Sequence, residues 1–204
     1  MTEIKKLAEE IYNKDKTKSY QDLVENFEKN KVLIDKINYQ ESDETYDIYS
    51  QLMADYGIAL AEIESYAKAL PVLNTALELF QKNKKYSNDQ LQKLKFYEML
   101  LFNRGRSNYY LYNYKIAVPD FTLLKKLYPE NSVYQNWLTA IQTIALKRAT
   151  NILWYCGTGA IIIELCVKTG TIAKDIMIGL MIFILLSALL MELFVYRRRK
   201  NFKK

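Results

Sequence analysis

The chain predicts an all-α protein whose last part crosses a membrane twice. Three observations carry that expectation. Apolar residues recur at three-to-four spacing through the first 148 positions, helix breakers are scarce there, and two long apolar runs follow. The repeating pattern starts with Ile4, Leu7, Ala8 and Ile11 and returns with Tyr20, Leu23, Val24 and Phe27. The whole chain has three prolines, and no stretch alternates as a half-buried strand would. Helix breaks are expected near 13–18, 38–43, 64–66, 82–89, 111–114 and 128–131.

The apolar runs occupy 149–167 and 176–196, joined by a polar turn at 168–175. The second holds one charge, Glu192, and is 21 residues long. About 20 residues of helix cross the ~30 Å hydrocarbon core of a bilayer. A soluble helix keeps one polar face, and this one has none. The chain is therefore expected to place a domain at 1–148 in water, a transmembrane hairpin at 149–196 and a basic tail at 197–204.

Charge supports this division. Residues 1–148 carry 21 Lys/Arg against 20 Asp/Glu, while 149–204 carry 8 against 3. The net +6 belongs mostly to the membrane segment, so the water-side domain has no general nucleic-acid footprint. Lys147 and Arg148 precede the first run, and Arg197, Arg198, Arg199 and Lys200 follow the second. With both flanks basic, the positive-inside rule puts the N-terminal domain and the tail in the cytoplasm. The start, MTEIKKLAEEIYNKDK, reads as an amphipathic helix with no signal-peptide core, so the hairpin is expected to direct insertion.

Several chemistries are set aside. There is no histidine, which removes His-based acid–base and nucleophilic dyads and most zinc sites. Both cysteines, Cys156 and Cys166, fall in the first apolar run, too far apart on one helix to bridge. There is no Gly-rich phosphate loop and no metal-ligand spacing. The chain reads as a non-enzyme, without a metal or cofactor.

The two membrane acids have two readings. Glu164 lies one turn before Lys168, and Glu192 lies within reach of Arg197, Arg198 and Arg199, or of Arg148 on the partner helix of the hairpin. They can form interfacial ion pairs that lock the hairpin, or line a pore as rings of carboxylates in a homo-oligomer. Small residues on both runs, among them Gly157, Gly159, Gly179 and Ala188, suit close helix packing in either case.

The first 148 residues contain an internal repeat. With an offset of 48, Gly57 falls on Gly105, Tyr66 on Tyr114, Ala69 on Ala117 and Pro71 on Pro119. Leu73 then falls on Phe121, Ala76 on Leu124 and Leu79 on Leu127. A fainter copy 46 residues earlier uses Tyr20, Leu23 and Phe27, with Ile11 at the glycine position. The unit is a helix with a small residue midway, a short turn, and a second helix opened by Tyr-x-x-Ala. Such a pair cannot bury its apolar face alone, so neighbours must stack.

GIALAEIESYAKALPVLNTALELF and GRSNYYLYNYKIAVPDFTLLKKLYP resemble the tetratricopeptide repeat (TPR). Gly105, Tyr114, Ala117, Phe121 and Pro129 match its pattern; the earlier copy lacks the closing proline and has Gln81 there. The resemblance covers about residues 4–148. It implies an all-α fold of TPR-like stacked helical hairpins, followed here by two transmembrane helices. The spacing of 48 exceeds the 34 of that family and implies longer helices or turns. After Pro129 a helix capped at Asn131 or Ser132 is expected to run unbroken to about 167.

In TPR proteins the first helix of each repeat lines a concave face that grips a peptide. The resemblance carries that role to Gln51, Ala54, Ile58, Ala61 and Glu62, and to Met99, Phe102, Arg106, Tyr109 and Tyr110. Arg106 suits a carboxylate or phosphate, and tyrosines give rigid contact area, although any one of them also suits packing between repeats. Arg104, Arg106, Lys115, Lys125 and Lys126, or Lys82, Lys84 and Lys85, are the strips that would meet a single-stranded nucleic acid.

Two functions fit this layout. One is a membrane-anchored adaptor that holds a partner protein or peptide at the cytoplasmic face, similar in plan to the TPR-like adaptors of mitochondrial fission. The alternative is an oligomeric membrane effector or channel gated by a ligand, a nucleotide or oligonucleotide among the candidates. That layout resembles the killing subunits of bacterial antiphage systems.

Overall fold

The computed structural model describes residues 2–13, 15–166 and 172–202, with side chains over 2–13, 15–163 and 174–197. The side chains of Glu164 and Cys166, and all of 167–171, lie outside the described residues. Among the described residues every regular element is a helix: α1 (Glu3–Ile11), α2 (Tyr20–Ile34), α3 (Asp43–Glu62), α4 (Tyr66–Lys82), α5 (Asn88–Gln92), α6 (Lys95–Tyr110), α7 (Tyr114–Leu127), α8 (Ser132–Cys166) and α9 (Ile172–Phe202). Contacts divide the chain into two units, Met1–Tyr134 and Gln135–Lys204.

The helices of the first unit start where the sequence supplies caps. Ser19 accepts the Asp22 amide at 3.1 Å while Asp22 accepts the Ser19 amide at 3.0 Å, so two amides that the helix leaves without partners are satisfied together. Ser42 caps α3 through the Thr45 amide, and Ser87 with Gln90 caps the short α5. Each helix turns its periodic apolar residues inward: Ile4, Leu7 and Ile11 from α1, Leu52 and Leu60 from α3, Leu73, Ala76 and Leu77 from α4, and Phe121 and Leu124 from α7. α3 packs on α4, α4 and α3 on α6, and α6 on α7; α1 and α2 cover α3 at the start of the chain.

The repeat seen in the sequence recurs in the backbone. α3 ends with the Ser65 amide donating to Leu60 O at 2.8 Å and the Glu64 amide to Ala61 O. α6 ends the same way 48 residues on, with Asn113 donating to Asn108 O at 2.8 Å and Tyr112 to Tyr109 O. This is the Schellman termination, which needs a left-handed residue just past the helix. Glu64 at φ 61° and Tyr112 at φ 62° fill it without glycine, at a cost of roughly 1–2 kcal/mol each.

The glycine of each hairpin marks the helix contact. A Cβ on Gly57 would lie 3.0 Å from Leu73 Cδ2, and one on Gly105 would lie 3.0 Å from Phe121 Cζ. Leu73 and Phe121 are themselves equivalent positions of the repeat. Ala69 and Ala117 are both fully buried one turn into the second helix, and Pro71 and Pro119 follow on its exposed face. The stretch between α4 and α6 is where the extra length goes: 83–94 holds α5, a helix absent from the expected breaks. Pro129 follows α7, and α8 starts at Ser132.

In the second unit, α9 contains a stretch, Lys174–Arg197, long and apolar enough to cross a membrane, with mean hydropathy 2.6. Its large side chains, among them Leu180, Phe183, Leu186, Leu190 and Phe194, are exposed, and only Ala188 and Val195 are buried. Gly157 of α8 admits Leu185 of α9, since a Cβ there would meet Leu185 Cδ2 at 2.9 Å. Trp154 Nε1 donates to Glu192 Oε2 at 3.1 Å. These two contacts run in opposite order along the helices, which makes the pairing antiparallel.

Candidate functional site

The residues expected on a ligand face from the TPR resemblance separate into two groups. Gln51 is exposed on the N-terminal half of α3. It lines a groove of about 370 Å³ with Asp47 and Ser50 of α3, Phe80 of α4, Phe96 of α6, and Asn83, Lys85 and Tyr86 of the linker. A wider recess of about 770 Å³ adjoins it, with Asp43, Glu44, Tyr46, Lys82 and Lys84 on its walls.

Local folding explains why this end of the hairpin is open. The N-terminus of α3 and the C-terminus of α4 meet there, and the 83–94 linker must leave before α6 begins. Asn83 and Lys85 bring the linker back onto α3: Asn83 Nδ2 donates to Asp47 Oδ1 at 2.7 Å and Lys85 Nζ to Asp47 Oδ2 at 2.9 Å. Burial pushes the Asp47 carboxyl up, but these two donors outweigh it and hold it below its ordinary range. The same carboxylate holds the Lys85 ammonium above its ordinary value. Tyr46 OH donates to Leu79 O at 2.7 Å, satisfying a carbonyl near the end of α4. Lys84 makes no ion pair among the described residues.

The second group lies at the other end of the hairpins. Arg106 of α6 donates from Nη2 to Ala61 O at 2.7 Å and meets Glu62 Oε1 at 3.2 Å. Its guanidinium lies about 6 Å from the rings of Tyr66 and Phe102. Tyr110 stacks on Tyr66 with centroids 4.6 Å apart, and Tyr109 stands edge-on to both Tyr110 and Tyr114. Phe102 is half-buried against Phe121 and Tyr134. Ile58, Ala54 and Ala61 are buried and belong to the core.

The chain matches no known family, no curated protein and no solved structure.

Of the ligand-face residues, then, Gln51 opens on a groove, while Arg106 and Glu62 spend their charges on each other. The basic strip through Arg104 and Arg106 is likewise engaged, because Arg104 forms a two-pronged pair with Asp120 at 2.5 and 2.9 Å. Burial pushes the Asp120 carboxyl up against the pull of that guanidinium. Glu192 accepts from the Trp154 indole, and the side chains of Arg198 and Arg199, two of the arginines expected near it, lie outside the described residues.

Three polar contacts were not read from the sequence. Tyr12 OH donates to Asp55 at 2.5 Å, linking the end of α1 to α3. Tyr134 OH donates to the buried Glu98, which Lys95 also approaches at 2.9 Å. Asp47 gathers the linker as described. Each joins residues far apart in sequence, and no local spacing announces it. Among the described residues no group of three or more His, Cys, Asp or Glu side chains could hold a metal. Phe80, Leu94 and Phe96 give the groove apolar lining and Gln51 a side-chain amide, while its Asn83 and Lys85 are bonded to Asp47.

Proposed function

We propose that this chain is a membrane-anchored, TPR-like adaptor that binds a partner protein or peptide beside a bilayer. The observation that carries this reading is the groove at Gln51. It lies on the first helix of a repeated hairpin, between α3 and the start of α6, where the resemblance to TPR proteins implies a peptide. Phe80 and Phe96 offer contact to an apolar side chain, Gln51 offers hydrogen bonds, and Lys84, on the wall of the adjoining recess, attracts an acidic residue. Anchoring rests on Lys174–Arg197, with 149–167 as a second crossing and the basic flanks on the cytoplasmic side.

The test is peptide selection on the full-length protein in lipid nanodiscs. A selected acidic-apolar peptide is expected to lose about tenfold in affinity, or about 1.4 kcal/mol, with Phe96→Ala or Gln51→Glu. It is expected to keep its affinity with Tyr20→Ser, far from the groove. Selected peptides indifferent to the groove substitutions, or a purified ring that conducts ions in liposomes, would overturn the adaptor reading.

A further inference from the structure

We propose that the aromatic turn of the second hairpin, Tyr110, Tyr112 and Ile116, seats in the headgroup layer of the bilayer in which the chain is anchored. This rests on the membrane-anchored reading and adds to it a second contact surface, on the water-side unit. Tyr112 is 78 % exposed, Ile116 61 % and Tyr110 47 %, all within one turn and the helix ends that flank it. No other short stretch of the Met1–Tyr134 unit exposes three large apolar side chains among its described residues. Beside them, Lys115 is exposed and makes no ion pair among the described residues.

Tyr112 is the informative member. It holds the left-handed position of the Schellman turn, where glycine is the usual residue, and its ring is almost wholly in solvent. Its recorded ring neighbour is Tyr114, edge-on at 6.2 Å, so packing repays little of the backbone cost. The equivalent residue of the first hairpin, Glu64, has the same backbone and a solvated charge instead. The difference between the two turns is therefore one of surface chemistry: one is charged, the other aromatic and flanked by lysine.

That chemistry fits the bilayer interface. Tyrosine rings carry an apolar body and a polar tip and concentrate at the headgroup level, and lysine there meets lipid phosphate. A span in the same polypeptide keeps the surface at high effective concentration, so three modest side chains suffice where an untethered domain would need more.

The experiment uses the full-length protein in liposomes of phosphatidylcholine and phosphatidylglycerol, with or without bromine on the acyl carbons near the headgroup. Native Trp154 lies in the proposed first crossing, and quenching of the unsubstituted protein reports anchoring by itself. The emission added by Tyr112→Trp, and separately by Ile116→Trp, is expected to fall about twofold in brominated liposomes. The emission added by Tyr20→Trp, at an exposed site on α2, is expected to stay unchanged. Quenching of the unsubstituted protein without quenching at 112 or 116 would overturn this contact and leave the anchor standing. Equal quenching at 20 would overturn the assignment to this turn. No quenching of any form would remove the anchor and this contact together.

Discussion

Arg106 of α6 and Glu62 of α3 form an ion pair between successive hairpins, 3.2 Å from Nη2 to Oε1. The same nitrogen donates to Ala61 O, a carbonyl in the last turn of α3 that also accepts the Glu64 amide of the Schellman turn. A cation at that helix end is favoured by the macrodipole, and the guanidinium fork serves both acceptors at once. Arg106→Ala removes all of this and leaves a partly buried carboxylate behind. It is expected to cost roughly 2–3 kcal/mol, read as a lower midpoint in thermal unfolding. Glu62 is about a third exposed, so Glu62→Gln should cost no more than about 1 kcal/mol. Equal losses from the two substitutions would show that the carboxylate, rather than the helix cap, carries the contact.

The shared hairpin turn gives a prediction of opposite sign. Glu64 is exposed and left-handed, and its side chain gains nothing that offsets the backbone cost. Glu64→Gly should stabilise the protein by about 0.5–1 kcal/mol, since the strain is relieved while glycine adds some chain entropy to the unfolded state. A lowered unfolding midpoint would mean that the carboxylate has a partner in solution.

Glycine in a helix ordinarily gains about 1 kcal/mol on replacement by alanine. Gly57 and Gly105 should do the reverse. The new methyl on Gly57 meets Leu73, including its backbone nitrogen at 3.2 Å, so α4 itself would have to move. At Gly105 the obstacle is the Phe121 ring, which is fully buried. Overpacking costs about 1–3 kcal/mol, enough to reverse the propensity gain. Gly179, with nothing within 4 Å, serves as the control that accepts alanine freely.

How much of this was legible in the sequence depends on the distance over which each signal acts. Gly57, Gly105, Tyr66, Tyr114, Ala69 and Ala117 repeat because each hairpin must solve the same local steric problem, and the solution is written within one unit. The helix breaks could be read for the same reason, from caps such as Ser19 and Ser42. α5 escaped notice because Leu94, before α6, carries no side-chain cap, so the 88–110 stretch reads as one helix. The role of Arg106 escaped for a different reason. Its partner lies in the preceding hairpin, and only the docking of α6 on α3 brings Glu62 and Ala61 to it. Chemistry assigned to a free surface was consumed by the packing of the repeats.

Asp55 supplies a pH dependence. Burial raises its carboxyl pKa, opposed by the hydrogen bond from Tyr12, whose phenol burial and the Asp55 charge keep protonated. The folded chain therefore binds this proton more tightly than the unfolded chain. Stability contributed here falls as pH rises from the ordinary carboxylate range through the raised value. Asp55→Asn keeps an acceptor for Tyr12 and cannot ionise. It should flatten the pH profile in that window and be the more stable form above it, as measured by denaturant unfolding across pH. Tyr12→Phe should steepen the profile, because it removes the one interaction that favours the charged carboxylate.

The last prediction concerns the pairing of the two long helices. Glu192 lies five residues before Arg197, about 7.5 Å along the helix, and so inside the apolar stretch rather than at its rim. A carboxyl group there is costly unless something donates to it, and the Trp154 indole does so at 3.1 Å. Trp154→Phe keeps most of the ring and removes the donor. With both helices in the bilayer, as proposed, the loss should lie in the range of interhelical hydrogen bonds in membranes, which average about 0.6 kcal/mol and reach about 1.7 kcal/mol. Glu192→Gln retains an acceptor for the indole and removes the charge, so it should match or exceed the parent in resistance to unfolding by sodium dodecyl sulfate. If Glu192→Gln were the weaker of the two, the carboxylate would be working as a charge toward the basic flank rather than as an acceptor between helices. Gly157→Leu separates the two explanations further, since it forces α8 from Leu185 and should abolish any difference that depends on Trp154 reaching Glu192.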